Sequence, residues 1–291
     1  MTKSTANFLF PFFCLALCLI FPTACSEGVA RGLSLSLDAA LPALFPALVL
    51  SGILVRQIGK GGEKCFLIPF VLGLFCGFPI GAASVAGLVR DGRLSKKDGE
   101  RLLFFCNNAS PAFLISYCGK TVLGDTKKGL FLFLLQSVLS AFFLFFWFGK
   151  RMLRREKKKE KKEAHAPDFW KSLPDALRES TNSFLYIMSC VIFFSFFTEL
   201  MRHLFSLTHF SFAMLGLFSE LCGGVSHLRY FAPSLAFPLC ALGCGWGGCS
   251  VHLQTAGLLE NASLSVKSHL AGKITFSLLM FLMTLFFQKL L

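Results

Sequence analysis

The chain of 291 residues is 54% hydrophobic and only 15% charged, and its mean hydropathy is +0.64. Soluble domains carry about 25% charged residues, so these values exclude an ordinary soluble protein, and the low polarity also excludes a disordered one. The net charge of +13 suggests nucleic acid as a partner, but residues 150–163 hold nine basic and three acidic residues and supply +6 of it. A single basic run between apolar segments is typical of a cytoplasmic loop beside anionic lipid, which removes the argument for nucleic acid.

The first two apolar stretches are each long enough to cross the roughly 30 Å hydrocarbon core of a bilayer as a helix. Residues 7–24 form the first, which we interpret as an uncleaved helix. The alternative is a cleaved leader, since Lys3 precedes the run and Cys25 follows it shortly after Pro22. Residues 37–55 form the second span, with prolines of the kind that membrane helices tolerate.

Residues 65–89 are apolar but carry glycines and a proline in and beyond the middle, and basic residues flank both ends. If both flanks are cytoplasmic, the segment enters and leaves on one face, because two arms of about 12 residues reach about 18 Å each, just past the bilayer centre. We therefore predict a re-entrant hairpin with its tip at 77–81; the alternative is a kinked full span. Non-helical backbone at that depth must be buried in protein or line a wet cavity.

Polar residues and a proline interrupt the next apolar segment, 101–117, at these positions: Asn107, Asn108, Ser110 and Pro111. They predict a discontinuous helix, because proline removes a backbone hydrogen bond and amides in an apolar helix need partners. Residues 128–148 form an uninterrupted span. The weakly amphipathic stretch 167–182, which follows the basic run, is expected to lie at the membrane interface.

The second half of the chain repeats this order of elements. It contains a span, a glycine-rich apolar segment, an apolar segment broken by glycines and a final span: 183–200, 204–228, 231–254 and 270–290. An offset near 140 residues aligns these elements with the first half, so that Gly73-Leu74-Phe75 matches Gly216-Leu217-Phe218. A rival offset of 170 pairs Gly87 with Gly257.

The two offsets predict different topologies. With the offset of 140, three crossings separate the two hairpins, so the halves are inverted and the hairpins open to opposite sides. This arrangement puts 22 Lys and Arg residues inside and seven outside, in agreement with the positive-inside rule. The offset of 170 makes the repeats parallel. We predict an all-α, polytopic membrane helical bundle with inverted repeats, re-entrant helical hairpins and discontinuous helices.

The domain boundaries follow from this division. Residues 1–30 form an N-terminal transmembrane helix, 31–149 the first repeat, 150–171 a basic cytoplasmic linker and 172–291 the second repeat. Inverted repeats with broken helices that meet at the bilayer midplane are typical of secondary transporters, whose half-helix ends present N–H and carbonyl groups to a solute.

Several motifs also resemble a known family: DAALPALFP at 38–46, CGFPIGA at 76–82, GRLS at 92–95, NNASP at 107–111, Glu220 with Gly224, and GGCSVHLQ at 247–254. Together they resemble the YlbJ-type sporulation integral membrane proteins. These carry the nucleoside-recognition (Gate) domain that is also found in spore maturation proteins and ferrous-iron transporters. The resemblance covers roughly residues 30–290. It implies a multi-pass protein of a bacterial plasma membrane, in a spore former, with a role in spore formation.

The candidate substrate-binding residues lie at the breaks of the apolar segments: Gly77, Phe78, Pro79, Gly81, Asn107, Asn108, Glu220, Gly224, Gly247, Gly248 and Gln254. Glu220 is the most informative, because an acid at membrane depth costs about 2.5–3.5 kcal/mol on the insertion scale. It is either a ligand, cation or proton site, or a residue nearer the surface that pairs with Arg229 or His227. For the asparagines the alternative is interhelical hydrogen bonding, and for the glycines it is close backbone packing.

The cysteines and motifs predict no catalytic or metal chemistry. Most of the twelve cysteines lie in apolar runs, where they act as small apolar residues. Cys240, Cys244 and Cys249 could share a helix face, but only His252 has the spacing of a further ligand. The sequence contains no nucleophile elbow, zinc-protease motif or phosphate loop, so we expect no enzyme and no cofactor.

The sequence supports two functional hypotheses. The first is a transporter-like protein that moves or gates a small polar solute, nucleoside-like by the resemblance, at the hairpin tips. The second is a membrane scaffold or assembly factor for spore formation that transports nothing. The expected partners are the lipid bilayer, a small polar solute and a coupling ion, with a homo-oligomer also considered and nucleic acid excluded.

Overall fold

The computed structural model describes residues 3–57, 65–153 and 168–289. Within these ranges every regular element is a helix, which confirms the predicted all-α class. Most of the predicted basic linker, 154–167, lies outside the described residues, as do Lys60 and Lys64 before the first predicted hairpin.

The α-helices are, in chain order, α1 (Lys3–Ile20), α2 (Pro22–Ser34), α3 (Leu41–Gln57), α4 (Leu67–Phe75), α5 (Ile80–Arg90), α6 (Lys96–Leu103), α7 (Thr126–Leu153), α8 (Phe169–Phe205), α9 (His209–Ser219), α10 (Leu221–His227), α11 (Pro233–Trp246), α12 (Gly248–Glu260) and α13 (Lys267–Phe287). Two π-helical segments, Leu35–Ala40 and Ala112–Val122, and the 3-10 turn Leu228–Tyr230 lie between them.

Four helical stretches in the described ranges are long and apolar enough to cross a membrane: α7, α8, α11 with α12, and α13. The bent pair of helices near the N-terminus makes five if it counts as one span. The outer face of α7 carries a row of exposed large apolar side chains, Val138, Phe142 and Phe146, of a kind that soluble proteins seldom present. The protein is therefore a multi-pass integral membrane protein.

Residues 7–24, which the sequence predicts as one uncleaved membrane helix, are divided by a bend in the structure. Helices α1 and α2 meet at Phe21 and are bent by 104°. Phe21 has non-helical backbone angles (φ −121°, ψ 57°). The physical reason is Pro22, which lacks an N–H group and disfavours a helical conformation in the residue before it.

Helices α2 and α3 join through Leu35–Ala40 into one continuous helix, which packs antiparallel to α8. Three contacts define this orientation, from one end of the pair to the other: Arg31 with Glu199 (3.1 Å), Phe45 with Phe184 (6.2 Å between ring centroids) and Arg56 with Glu179 (2.9 Å). Ion pairs thus lie at both ends of the helix pair and apolar packing lies between them, as a bilayer requires.

Residues 169–182, which the sequence predicts as part of an interfacial helix, are instead the first turns of α8. Ser172, Ala176 and Ser180 recur every four residues on one face and are buried. Ala176 packs against Val49 and Ile53 of α3. Because α3 covers this face, it packs against protein instead of lying on the membrane surface.

Two pairs of short helices form hairpins. The start of α4 lies beside the end of α5, since Cys65 Sγ lies 3.3 Å from the Arg93 carbonyl oxygen. The start of α9 likewise lies beside the end of α10, where the ring centroids of Phe212 and His227 are 4.6 Å apart.

Glycines occupy the crossing point of each hairpin. A Cβ on Gly81 would lie 3.0 Å from Gly73 Cα, and a Cβ on Gly216 would lie 2.6 Å from Gly224 Cα. Larger residues would therefore separate the two arms. Gly216 and Gly224 follow Gly73 and Gly81 by 143 residues, close to the predicted offset of 140.

Two helices are interrupted in mid-course and run antiparallel to each other. The first consists of α6, a break over 104–111 that is non-helical as far as Ser110, and the π-helical segment Ala112–Val122; the second consists of α11 and α12, with Gly247 between them. Asn107 Nδ2 lies 3.0 Å from Thr255 Oγ1, and Cys118 Sγ lies 3.7 Å from Cys244 Sγ. Since the later residue of one helix contacts the earlier residue of the other, their directions are opposite.

Helices α7 and α13 are also antiparallel and lie beside the interrupted helices. The ring centroids of Phe143 and Phe276 are 6.0 Å apart, as are those of Phe131 and Phe287. The elements that the offset of 140 aligns, α3 with α8 and α7 with α13, are therefore in each case antiparallel neighbours.

Candidate functional site

The turns of both hairpins and the breaks of both interrupted helices meet in one region, which we call the central junction. The Phe78 ring lies against Gly247, where an added Cβ would be 3.7 Å from it, and a Cβ on Gly77 would lie 2.8 Å from Ser110 Cβ. The second hairpin contacts the first interrupted helix, since Tyr117 Oη donates a hydrogen bond to the Cys222 carbonyl oxygen at 3.2 Å. The central junction thus consists of the turns 76–79 and 219–223, the break 104–111, and Gly247 with Gly248.

The first hairpin is held against the break by its backbone. A Cβ on Gly73 or on Gly81 would overlap the Cys106 carbonyl oxygen. Gly77 has a φ of +84°, a conformation that favours glycine. The next residues, Phe78 and Pro79, are joined by a cis peptide bond and lead directly into α5.

Gln136 of α7 satisfies the backbone of the break. Its side chain accepts a hydrogen bond from the Ala109 N–H at 3.1 Å and donates one to the Ala109 carbonyl oxygen at 2.9 Å. Asn108 donates to the Phe105 carbonyl oxygen (2.8 Å) and to Ser140 Oγ (2.9 Å). These side chains explain how a non-helical segment persists inside an apolar bundle, where unpaired backbone groups are costly.

Two amide oxygens at the break have no hydrogen-bond partner within the described residues. Asn107 and Asn108 are 0% and 1% exposed, and both of their Oδ1 atoms are unpaired. The Asn107 Nδ2 group is used by Thr255 of α12, so its amide joins the two halves of the chain. A buried acceptor without a donor costs free energy and is suited to a ligand that brings an N–H or O–H group.

Lys273 of α13 is the principal charge at the central junction. The residue is 1% exposed, and its Nζ lies 5.2 Å from the Phe78 ring centroid and 5.7 Å from that of Phe276. Across the described ranges it forms neither a hydrogen bond nor an ion pair. A Cβ on the neighbouring Gly272 would overlap the Phe104 carbonyl oxygen, so this turn of α13 lies against the break. Aromatic faces stabilise a cation only in part, so an ammonium group buried in this way lacks a full counter-charge.

A pair of histidines, one from α12 and one from α13, lies one helical turn away from Lys273. His252 Nδ1 and His269 Nε2 are 3.1 Å apart, so one ring donates a hydrogen bond to the other. His252 also packs against the Trp246 ring, with centroids 4.2 Å apart. His269 is buried in α13, one turn before Lys273.

Glu220 forms the N-cap of α10. Its carboxylate accepts hydrogen bonds from the Cys222 N–H (3.1 Å) and the Gly223 N–H (2.6 Å), and the residue is buried. Arg229 donates to the Ser226 carbonyl oxygen and does not pair with Glu220. The helix N-terminus therefore provides the compensation that an acid at this depth needs.

The other predicted site residues lie at the central junction or next to it. Gly247 has a φ of +90° and ends α11, and a Cβ on Gly248 would lie 3.1 Å from the Leu221 backbone nitrogen. Gly224 packs against the Leu217 backbone. Gln254 is buried and donates to Ser250 Oγ at 2.9 Å within its own helix. The structure thus brings Phe78 close to Lys273 and Gly247 close to the Phe78 ring. It joins Asn107 to Thr255 and uses Glu220 and Gln254 in local hydrogen bonds.

Sequence reasoning missed Lys273, Gln136, Ser140 and Thr255. A signal for the first three exists in their spacing. His269, Lys273 and Ser277 recur every four residues on α13, and Gln136 and Ser140 do so on α7. Such spacing puts polar residues on one helix face, which in a membrane helix points to the bundle interior.

Two open pockets lie at opposite ends of α8. The first, of about 400 Å³, is lined by Arg56, Ser84 and Glu179, among others; the second, of about 540 Å³, is lined by Arg202, His209 and Tyr230, among others. Both volumes fall in the range of small-molecule sites, about 300–1,000 Å³. Each pocket borders one of the two hairpins, α5 in the first case and α9 with α10 in the second.

Comparison of the chain with protein-family models, with curated proteins and with solved structures finds no match.

Proposed function

We propose that this multi-pass membrane protein is a transporter-like carrier of a small polar solute that bears an anionic group. The observation that carries the proposal is the buried Lys273 ammonium, which faces the Phe78 hairpin turn without an ion-pair partner among the described residues. A carboxylate or phosphate on the solute would supply the missing counter-charge. The unpaired Oδ1 atoms of Asn107 and Asn108 would accept N–H or O–H groups from the same molecule.

The directions of the helices agree with a carrier that is built from inverted repeats. The helices aligned by the offset of 140 are antiparallel neighbours, and both hairpins meet at the central junction. In our proposal the hairpins enter the membrane from opposite sides, so that the pocket at each end of α8 leads towards the same site. The sequence motifs alone support three further parts of this proposal. These are recognition of a nucleoside-like solute, a role in spore formation and a location in a bacterial plasma membrane.

The experiment is solute uptake into liposomes that contain the purified protein. The panel includes nucleosides, nucleoside monophosphates, amino acids and small dicarboxylates, each with a sodium or a proton gradient. We expect saturable uptake of an anionic member, and Lys273→Met to reduce it about 10-fold or more, since a hydrogen bond to a charged group contributes about 1.5–3 kcal/mol.

The matched control is Lys267→Met, the same change at an exposed position of α13. We expect uptake by this variant to equal that of the unsubstituted chain. Uptake of a neutral nucleoside that is insensitive to Lys273→Met would refute the anionic assignment. An absence of uptake by any panel member, together with normal spore formation in cells that carry Lys273→Met, would favour the scaffold hypothesis.

A further inference from the structure

Three buried cysteines bring their sulfur atoms together beside the central junction. Cys118 Sγ lies 3.7 Å from Cys244 Sγ, Cys240 Sγ lies 4.0 Å from Cys244 Sγ, and all three atoms lie within 4.8 Å of one another. Each residue is 0% exposed. Cys118 belongs to the first interrupted helix, whereas Cys240 and Cys244 belong to α11 of the second.

The distances suit a shared ligand better than a disulfide. A disulfide requires a sulfur separation of about 2.0 Å and joins only two of the three residues. Sulfur atoms that bind one ion at about 2.3 Å lie about 3.8 Å apart at tetrahedral angles and about 4.0 Å apart at trigonal angles. Two of the three sulfur pairs already lie at these distances, and the third pair lies within 4.8 Å.

The charge of the ligands favours a divalent ion. Three thiolates around a divalent cation leave a net charge of −1, whereas three thiolates around a monovalent cation leave −2. The smaller net charge is the less costly one in an apolar interior. Thiolate ligands exclude hard cations such as Mg²⁺ and Ca²⁺, which bind oxygen.

We propose that Cys118, Cys240 and Cys244 form a binding site for one soft divalent cation such as Zn²⁺ or Cd²⁺, which ties the two interrupted helices together. Ligation forms three sulfur–metal bonds and releases the three thiol protons to the solvent, with no change in oxidation state. The site is independent of the solute proposed above, because it uses none of the residues assigned to solute binding.

The test is a Cd²⁺ titration of the purified, reduced protein in detergent, followed by ultraviolet thiolate-to-metal charge transfer. To remove background from the other cysteines, we would use a chain that keeps only Cys118, Cys240 and Cys244 of the twelve. We expect one Cd²⁺ per chain and an increase in the unfolding temperature on binding. An excess of Mg²⁺ should produce neither effect.

Single substitutions in the otherwise unsubstituted chain provide the second arm, which does not depend on the folding of the three-cysteine chain. Cys118→Ser should weaken the tightest Cd²⁺ site by about 100-fold or more, since loss of even an outer-shell partner costs 10–100-fold. Cys190→Ser, at a buried cysteine of α8 outside the cluster, is the matched control and should leave that site unchanged. Equal affinity in the two variants, or a Cys118–Cys244 disulfide found by mass spectrometry in the reduced protein, would overturn the proposal.

Discussion

At the scale of single residues, the backbone of the break depends on a few side chains and on the absence of others. The Cys106 carbonyl oxygen occupies the space where Gly73 and Gly81 have no Cβ, and Gln136 pairs with both backbone groups of Ala109. Each arrangement makes a specific prediction.

Gly81→Ala should destabilise the fold, because the new Cβ meets backbone atoms that have no freedom to move aside. We expect a loss of about 1–3 kcal/mol, the usual range for forced overpacking, measured as a lower unfolding temperature in detergent. Gly52→Ala is the matched control within a helix, since a Cβ there has no neighbour within 4 Å. It should be neutral or stabilising by up to about 1 kcal/mol, and equal destabilisation by the two changes would contradict the close approach at Gly81.

Gln136→Ala should leave a buried N–H and a buried carbonyl of the break without partners. Each such group costs about 1–3 kcal/mol, so we expect a marked fall in the urea midpoint of unfolding. Ser137→Ala, on the next residue of α7, removes only a bond to the Phe133 carbonyl oxygen within the same helix and should have little effect. A Gln136→Ala protein as stable as the Ser137→Ala protein would show that the break does not depend on the two hydrogen bonds between Gln136 and Ala109.

At the scale of elements, the antiparallel pairing of the long α2–α3 helix with α8 is fixed at one end by a buried acid. Glu199 is 1% exposed and pairs with Arg31 and Arg202, both of which are partly exposed. The cost of breaking this group therefore depends on which partner is removed.

Replacing both arginines with alanine leaves an uncompensated buried carboxylate, for which we expect a loss of about 3–5 kcal/mol. Glu199→Gln removes the buried charge and leaves two cations that reach solvent, so its effect should be smaller. At the other end, Arg56→Ala removes an ion pair with the more exposed Glu179 and a hydrogen bond to the Ser172 carbonyl oxygen, and it should cost about 1–2 kcal/mol. Thermal unfolding of the three variants tests this order, and a Glu199→Gln protein less stable than the double arginine variant would contradict it.

At the scale of the whole molecule, the contacts define two opposite ends. The start of α8, the end of α3 and the end of α5 lie at one end; the end of α8, the start of α9 and the end of α10 lie at the other. If the hairpins are inverted, these ends face opposite sides of the membrane.

Cysteines introduced at Asp91 and at Tyr230 should therefore react from opposite sides with a membrane-impermeant thiol reagent. We expect Tyr230→Cys to be labelled in intact cells and Asp91→Cys only after permeabilisation, because the basic flanks favour the cytoplasm. The unsubstituted chain provides the background from its native cysteines. Labelling of both positions from the same side would rule out the inverted arrangement.

The sequence by itself determined which segments are helical and where most of them break; the bend at Phe21, inside a stretch predicted as one helix, is an exception. Apolar runs of membrane length, glycines and prolines are local signals, because backbone hydrogen bonding in lipid depends on the segment's own residues. The breaks near Phe78, at 104–111, at Glu220 and at Gly247 all lie where the sequence predicts interruptions.

The tertiary structure alone decided what these segments contact. In the structure Glu220 caps a helix, and residues 169–182 form the first turns of α8. Lys273 is buried against Phe78, and Cys118 contacts cysteines more than a hundred residues away in the sequence. Each outcome depends on which helix faces which. That pairing is determined by packing between residues distant in the sequence, and the hydropathy along the chain does not predict it.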